Sequence, residues 1–278
     1  MSELVAAGAV RKMKTELVDP VSYTMLLGEY AIPMNQYLGQ QLQLQFHGAI
    51  NCIHCDRKTS KSFNQGYCYP CFKRLAQCDS CIVSPEKCHY AAGTCREPEW
   101  GEQHCMVDHI VYLANTSGTK VGITRGSQVP TRWMDQGATQ ARPIFRVSNR
   151  LQSGLVETAF KSHIADKTNW QAMLKSDAEP VDLEAVRQRL MVDCAGELNA
   201  LLQTHGIQAI TELPDEPDVH ISYPVLEYPT KVKSLNLDKT PGIGGTLMGI
   251  KGQYLMFDTG VINMRKYGGY HVSLQTTG

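Results

Sequence analysis

The stretch HIVYLANTSGTKVGITRGSQVPTRW, residues 109–133, decides how the middle of the chain folds. Two apolar runs, 110–114 and 120–123, flank NTSG, whose small polar residues and glycine are turn chemistry, so the stretch reads as a β-hairpin. Pairing would set Tyr112 and Lys120 on neighbouring strands, with Arg125 on the following loop and Arg132 at a helix start. The reading is either an ordinary sheet edge or a phenol, an ammonium and guanidinium groups gathered around a phosphate.

Outward from the hairpin, a helix near 129–136, a strand near 143–147 and a helix over 153–164 complete a mixed α/β unit. DKTNW, residues 166–170, suits either a polar rim with Trp170 as a base-stacking contact or a capped helix start. Leu183, Val186, Leu190, Leu198, Leu201 and Leu202 fall at helical spacing before a glycine stop at Gly206, predicting one helix with Cys194 buried inside it. The acids of 179–218 read as a solvated face, and ELPDEPD as a linker.

Toward the N-terminus the pattern is strand-like from Val5 to Phe46, with period-two alternation clearest in QLQLQF and breaks at Asp19-Pro20 and Ile32-Pro33. Short strands with glycine and proline turns return after Val219, as in a small barrel. Neither end has enough strands to stand alone. The expectation is therefore one β domain built from both termini, with a cysteine block and the α/β unit inserted. The fold class is α+β, divided as 1–50, 51–108, 109–206 and 207–278, and no internal repeat is evident.

Nine of the ten cysteines lie between Cys52 and Cys105. In a cytoplasmic chain such clustering points to metal rather than disulfides. Cys52-x2-Cys55 and Cys68-x2-Cys71 form two knuckles at zinc-ribbon spacing, and four thiolates satisfy tetrahedral Zn²⁺ with no open position, so the role is structural. A second cluster has more ligands than one zinc needs. Simple spacing selects Cys78, Cys81, Cys88 and Cys95. A set of Cys81, Cys88, Cys105 and His109 would instead anchor the block to the first hairpin strand.

The formal net charge is zero, but between Tyr112 and Arg150 the cations Lys120, Arg125, Arg132, Arg142, Arg146 and Arg150 face the single acid Asp135. A positive field there favours nucleic acid. No apolar run approaches the ~18 residues of a membrane helix, and the first residues lack the pattern of a secretory signal. A cytoplasmic protein with no membrane partner is expected.

The order of elements and IVY (110–112), KVGITR (120–125), Arg132 and Glu157 resemble the GIY-YIG nuclease superfamily, over roughly a fifth to a quarter of the chain. The resemblance implies an endonuclease fold in which Tyr112 is the base, Lys120 stands where a second tyrosine is usual, and Arg132 clamps a phosphate. Glu157 would hold Mg²⁺ or Mn²⁺, and Gly122 would admit close backbone approach. Neighbouring Lys120 and Arg132 are expected to lower the Tyr112 pKa. Through GYCYPCF, PEKCHYAAGTCREPEWGE, RWMDQGA, DKTNW and GIKGQYL the whole chain is also similar to an uncharacterised bacterial family of unknown function, a likeness that favours the zinc set with Cys105 and His109. Two functions follow as expectations: a metal-dependent nuclease acting on DNA or RNA with two structural zinc sites, or a non-catalytic nucleic-acid-binding protein that reuses the nuclease fold.

Overall fold

In the computed structural model, which describes residues 2–277, the N-terminal strands are β1 (Ser2–Glu16), β2 (Ser22–Leu27), β3 (Tyr30–Pro33) and β4 (Gln41–Ile50). In β4 the QLQLQF alternation buries Leu42 and Leu44 and turns glutamines outward, as a pleated strand with one core face requires. The cysteine block carries only two short helices, α1 (Tyr69–Arg74) and α2 (Pro98–His104), joined by single 3-10 turns.

The α/β unit follows: β5 (His109–Asn115), β6 (Thr119–Arg125), α3 (Thr131–Asp135), β7 (Gln140–Val147) and α4 (Arg150–Phe160). Asn115 and Thr119 close the expected hairpin, with Tyr112 facing Gly122 across it. After α5 (Trp170–Met173) come α6 (Leu183–Asp193) and α7 (Ala195–His205). These two replace the single expected helix. Cys194, at φ −106° and ψ 15°, is the joint between them, and its buried thiol donates to the Ala159 carbonyl of α4. The bend lets α7 pack on α4 while α6 lies against β5 and β7.

The chain does not leave this sheet at residue 206. β8 (Ile210–Glu212) and β9 (Val219–His220) both pair with β7, so the α/β unit runs to His220, and ELPDEPD is an internal loop. The strand order is β6-β5-β7-β8. Alternation along β5 sends Val111 and Leu113 under α4, α6 and α7, and Tyr112 and Ala114 into the core of the β domain.

The C-terminal strands are β10 (Gly242–Lys251), β11 (Tyr254–Phe257), β12 (Gly260–Asn263) and β13 (Tyr270–Thr277). With the N-terminal four they form one sheet ordered β12-β11-β10-β4-β13-β1-β2-β3. The two termini do build one β domain. It is an open antiparallel sheet rather than a closed barrel, because β12 and β3 end the order unpaired with each other.

That order contains an internal repeat hidden from the sequence reading. AIPMNQYLG (31–39) and VINMRKYGG (261–269) each end a short strand, make one 3-10 turn and restart the chain. Met34 and Met264 are both fully buried, and Gly39 and Gly269 both hold positive φ, 77° and 83°, where a Cβ would be strained. Leu44 pairs with Leu274 on the pseudo-dyad, and Gly8 opposite Val272 mirrors Gly245 opposite Leu42. Each long strand, β1 and β10, spans the centre with one half and its own hairpin with the other, bending at a register shift. Few identical residues are needed for this pairing, which is why the sequence concealed it. Among the described residues, no helix is long and apolar enough to cross a membrane.

Candidate functional site

Two constellations emerge, one of thiols and one at the hairpin. In the first, the turns after β4 and before α1 bring Cys52, Cys55, Cys68 and Cys71 together, their four sulfurs all within 4.8 Å of one another. Cys55 Sγ and Cys68 Sγ are 3.7 Å apart. A ZnS₄ tetrahedron with arms of ~2.3 Å has edges of ~3.8 Å, so the residues fit zinc. Burial works against a thiolate at Cys52, but the backbone N–H groups of Cys68, Cys55 and His54 outweigh it and bring the thiol down to about 6. Burial and the neighbouring sulfurs push Cys71 up to about 12. A divalent cation resolves that conflict, because four thiolates so close need positive charge among them. The pattern was legible from spacing alone.

The remaining cysteines divide. Cys78 joins the ribbon core beside Cys52, Cys68 and Cys71. Cys81, Cys88, Cys95 and Cys105 line one cavity of about 10 Å³, but no three of them form a tight sulfur cluster. The compact group there is Asp79, Cys81 and His89, within 4.8 Å of one another. His109 lies outside that lining. Its Nδ1 bonds the Val107 carbonyl at 2.7 Å, and its Nε2 is buried with no partner. Desolvation holds this imidazole down to about 4, so it is neutral.

In the second constellation, Gln136 at the end of α3 is the common acceptor: its Oε1 takes a bond from Tyr112 Oη at 3.1 Å and one from Lys120 Nζ at 2.7 Å. Sequence reasoning missed Gln136, although its place one turn after Arg132 put it on the same helix end. Gly122 faces the Tyr112 ring: a Cβ there would stand 2.8 Å from Oη. The glycine thus makes room for the phenol, whereas sequence reading kept that room for a ligand's approach. Burial pushes the Tyr112 phenol up to about 12, despite Arg132 close by acting to lower it. The expected lowering does not occur, because losing water around a phenolate outweighs one half-buried guanidinium. Lys120 is brought down to about 8, by burial first and by Arg132 second. Glu157 is nearly buried, which raises its carboxyl, and its partner is Lys161 at 3.4 Å. Lys161 also lies 3.6 Å from Asp166.

The cation run does not survive as one surface. Arg142 is buried between Asp218 and Glu184, at 2.8 and 2.7 Å. Those acids belong to the stretch read as a solvated face; Glu184, bonded first to Arg187 and then to Gln188, is held down to about 2. Arg150 donates to the carbonyls of Cys81 and Ile82, at 3.3 and 2.6 Å, and so ties the cysteine block to α4. Neither guanidinium is placed to meet a phosphate. Arg125 is half-buried and Arg146 exposed. Trp170 stacks on Tyr254, 5.8 Å between centroids and 3° apart in plane, while Asn169 caps α5 through Ala172 N. Of the two readings of DKTNW, the capped helix start is the one seen.

Against this geometry, residues 39–272 match a family described as "Protein of unknown function (DUF2797)". The chain belongs to this family. No curated protein and no solved structure matches it. The match begins inside the first β repeat and ends inside the second, so it takes in both constellations and the strands that carry them.

Proposed function

We propose that this protein is a zinc-ribbon nuclease, acting on a nucleic-acid phosphodiester at the Tyr112, Lys120, Arg132 and Glu157 cluster. The observation that carries the reading is the convergence of Tyr112 and Lys120 on Gln136, with Arg132 on the same short helix and Glu157 near enough to influence both groups. Arg132 clamps the phosphate. Lys120, near 8, exchanges a proton at ordinary pH, whereas a phenol near 12 does not; the general base is Lys120, and Tyr112 with Gln136 orients it. Glu157 and Asp166 already share a cation, the Lys161 ammonium. Two such oxygens suit Mg²⁺ or Mn²⁺ that keeps most of its water. When bound, the ion would supply Lewis-acid stabilisation of the leaving oxygen.

The alternative is a binding protein without cleavage. It is favoured by one observation: the Tyr112 hydroxyl and the Glu157 carboxylate are both engaged within the protein. The test is a panel of single- and double-stranded DNA and RNA with Mg²⁺ or Mn²⁺. Cleavage should rise with pH to a plateau above about 8, where Lys120 is neutral, and Glu157→Gln should abolish it with affinity largely kept. Salt-sensitive binding with no cleavage selects the alternative, and neither activity discards both.

A second zinc is part of the same proposal, held by Cys81, Cys88 and Cys105. Cys95 shares their cavity, while His109, four residues after Cys105 and outside that lining, has a buried Nε2 with no partner. Two zinc ions per wild-type chain, falling to one in Cys81→Ser, is the expected elemental analysis. Whichever of Cys95→Ser and His109→Ala lowers the count identifies the fourth ligand.

A further inference from the structure

The two β repeats differ at one informative position. Superposing the repeat motifs sets Asn35 opposite Arg265. Asn35 is satisfied within its own unit: its side chain accepts from Tyr23 N at 2.9 Å and donates to the Val21 carbonyl at 3.0 Å. Arg265 uses only its backbone N–H locally, toward Asn263. Its half-buried guanidinium has no carboxylate partner among the described residues. The same is true of Arg132. These two side chains belong to elements that meet through β1, since β1 packs on both α3 and the 264–267 turn. Lys12 of β1 pairs with Asp135, and Gln253 bonds the other oxygen of that carboxylate at 2.9 Å.

Asp135 is an acid that acts on Arg265, and it is already paired with Lys12. Met264 N donates to the Gln253 carbonyl at 2.9 Å while the Gln253 side chain holds Asp135, so the turn carrying Arg265 and the helix carrying Arg132 are joined through one residue; burial first and the like charge of Arg132 second lower the Arg265 pKa. Tyr67 of the ribbon is near enough to act on Arg265 and to feel Arg11 of β1, whose Nη1 is buried without a partner. Half-buried like charges left unpaired in a folded chain are relieved by an anion.

We infer that Arg265 forms a second phosphate position next to the one that Arg132 clamps, so that a nucleic-acid strand leaving the Tyr112 site runs along the seam between the α/β unit and the β domain toward Arg11 and Tyr67. The inference rests on the proposed site at Tyr112 and extends it: the β domain becomes part of the substrate groove. A phosphodiester chain is the anion that fits, because it presents charges repeatedly along a line, whereas one free phosphate engages a single position.

The experiment measures binding of fluorescein-labelled oligonucleotides in EDTA by anisotropy over a series of salt concentrations. Arg265→Gln should weaken binding about tenfold and reduce the log–log salt slope by about one, the signature of one lost phosphate contact. Arg265→Lys should retain most of the affinity, and Lys266→Ala, on the exposed neighbouring residue, should change it less than twofold. Should Arg265→Gln not fold, wild-type hydrogen exchange replaces it: bound oligonucleotide should protect residues 264–267. Wild-type binding with an unchanged slope in Arg265→Gln, an equal loss in Lys266→Ala, or no protection of the turn overturns the inference and leaves the Tyr112 site standing. No binding of any oligonucleotide by the wild type overturns both.

Discussion

The two groups of cysteines in residues 52–105 obey different rules. The first assembles from its own spacing: two knuckles, each with its second cysteine three residues after the first, place four sulfurs within ligand distance whatever surrounds them. The second is held from outside. Its 3-10 turns lean on α4, where a Cβ at Gly154 would stand 2.4 Å from Glu86 N, and Arg150 grips the Cys81 and Ile82 carbonyls. Local sequence defines a metal site when the ligands share short loops. It leaves the set open when neighbouring elements do the gathering.

The largest effect expected of that contrast is at the ribbon. Cys68→Ser should lose the ribbon zinc and melt residues 51–72, since ligation supplies on the order of 10 kcal/mol to such segments. Elemental analysis and hydrogen exchange check it, and a wild-type protein without zinc would break the comparison at its root. Next comes Gly154→Ala. The added methyl forces α4 away from the Pro85–Lys87 turn at a cost of about 1–3 kcal/mol. Alkylation of Cys81, Cys88 and Cys105 should then accelerate while the ribbon thiols stay as slow as before. Equal acceleration of both groups would show that the block is one unit. The smallest effect separates two arginines of the same run: Arg150→Ala should cost about 1–3 kcal/mol by stranding two carbonyls, and Arg146→Ala, exposed on β7, no more than about 0.5 kcal/mol. Melting curves of the pair decide it.

Hairpin, helix order and α+β class were legible because each rests on a local pattern: NTSG between apolar runs, and apolar residues at helical or alternating spacing. The helix break at Cys194 was not, since leucines continue at helical spacing on both sides while the two halves pack on different elements, α6 on β5 and β7 and α7 on α4. Charge misled for a related reason. Arg142 and Arg146 look alike in sequence, yet one is buried against Asp218 and Glu184 while the other meets solvent. Gln136 carried no signal of its own. Its role exists only because Tyr112 and Lys120 reach it from two strands.

What the sequence alone determined is therefore whatever lies within one loop or one period: the gathering of the four ribbon cysteines, the strand alternation of QLQLQF, and the turn between Asn115 and Thr119. Tertiary structure decided the rest. The pairing of Leu44 with Leu274, the neutralisation of Arg142 and the bond from Gln253 to Asp135 each join residues tens to hundreds of positions apart. Such contacts are chosen by burial and charge balance over the whole fold, and no local stretch encodes them.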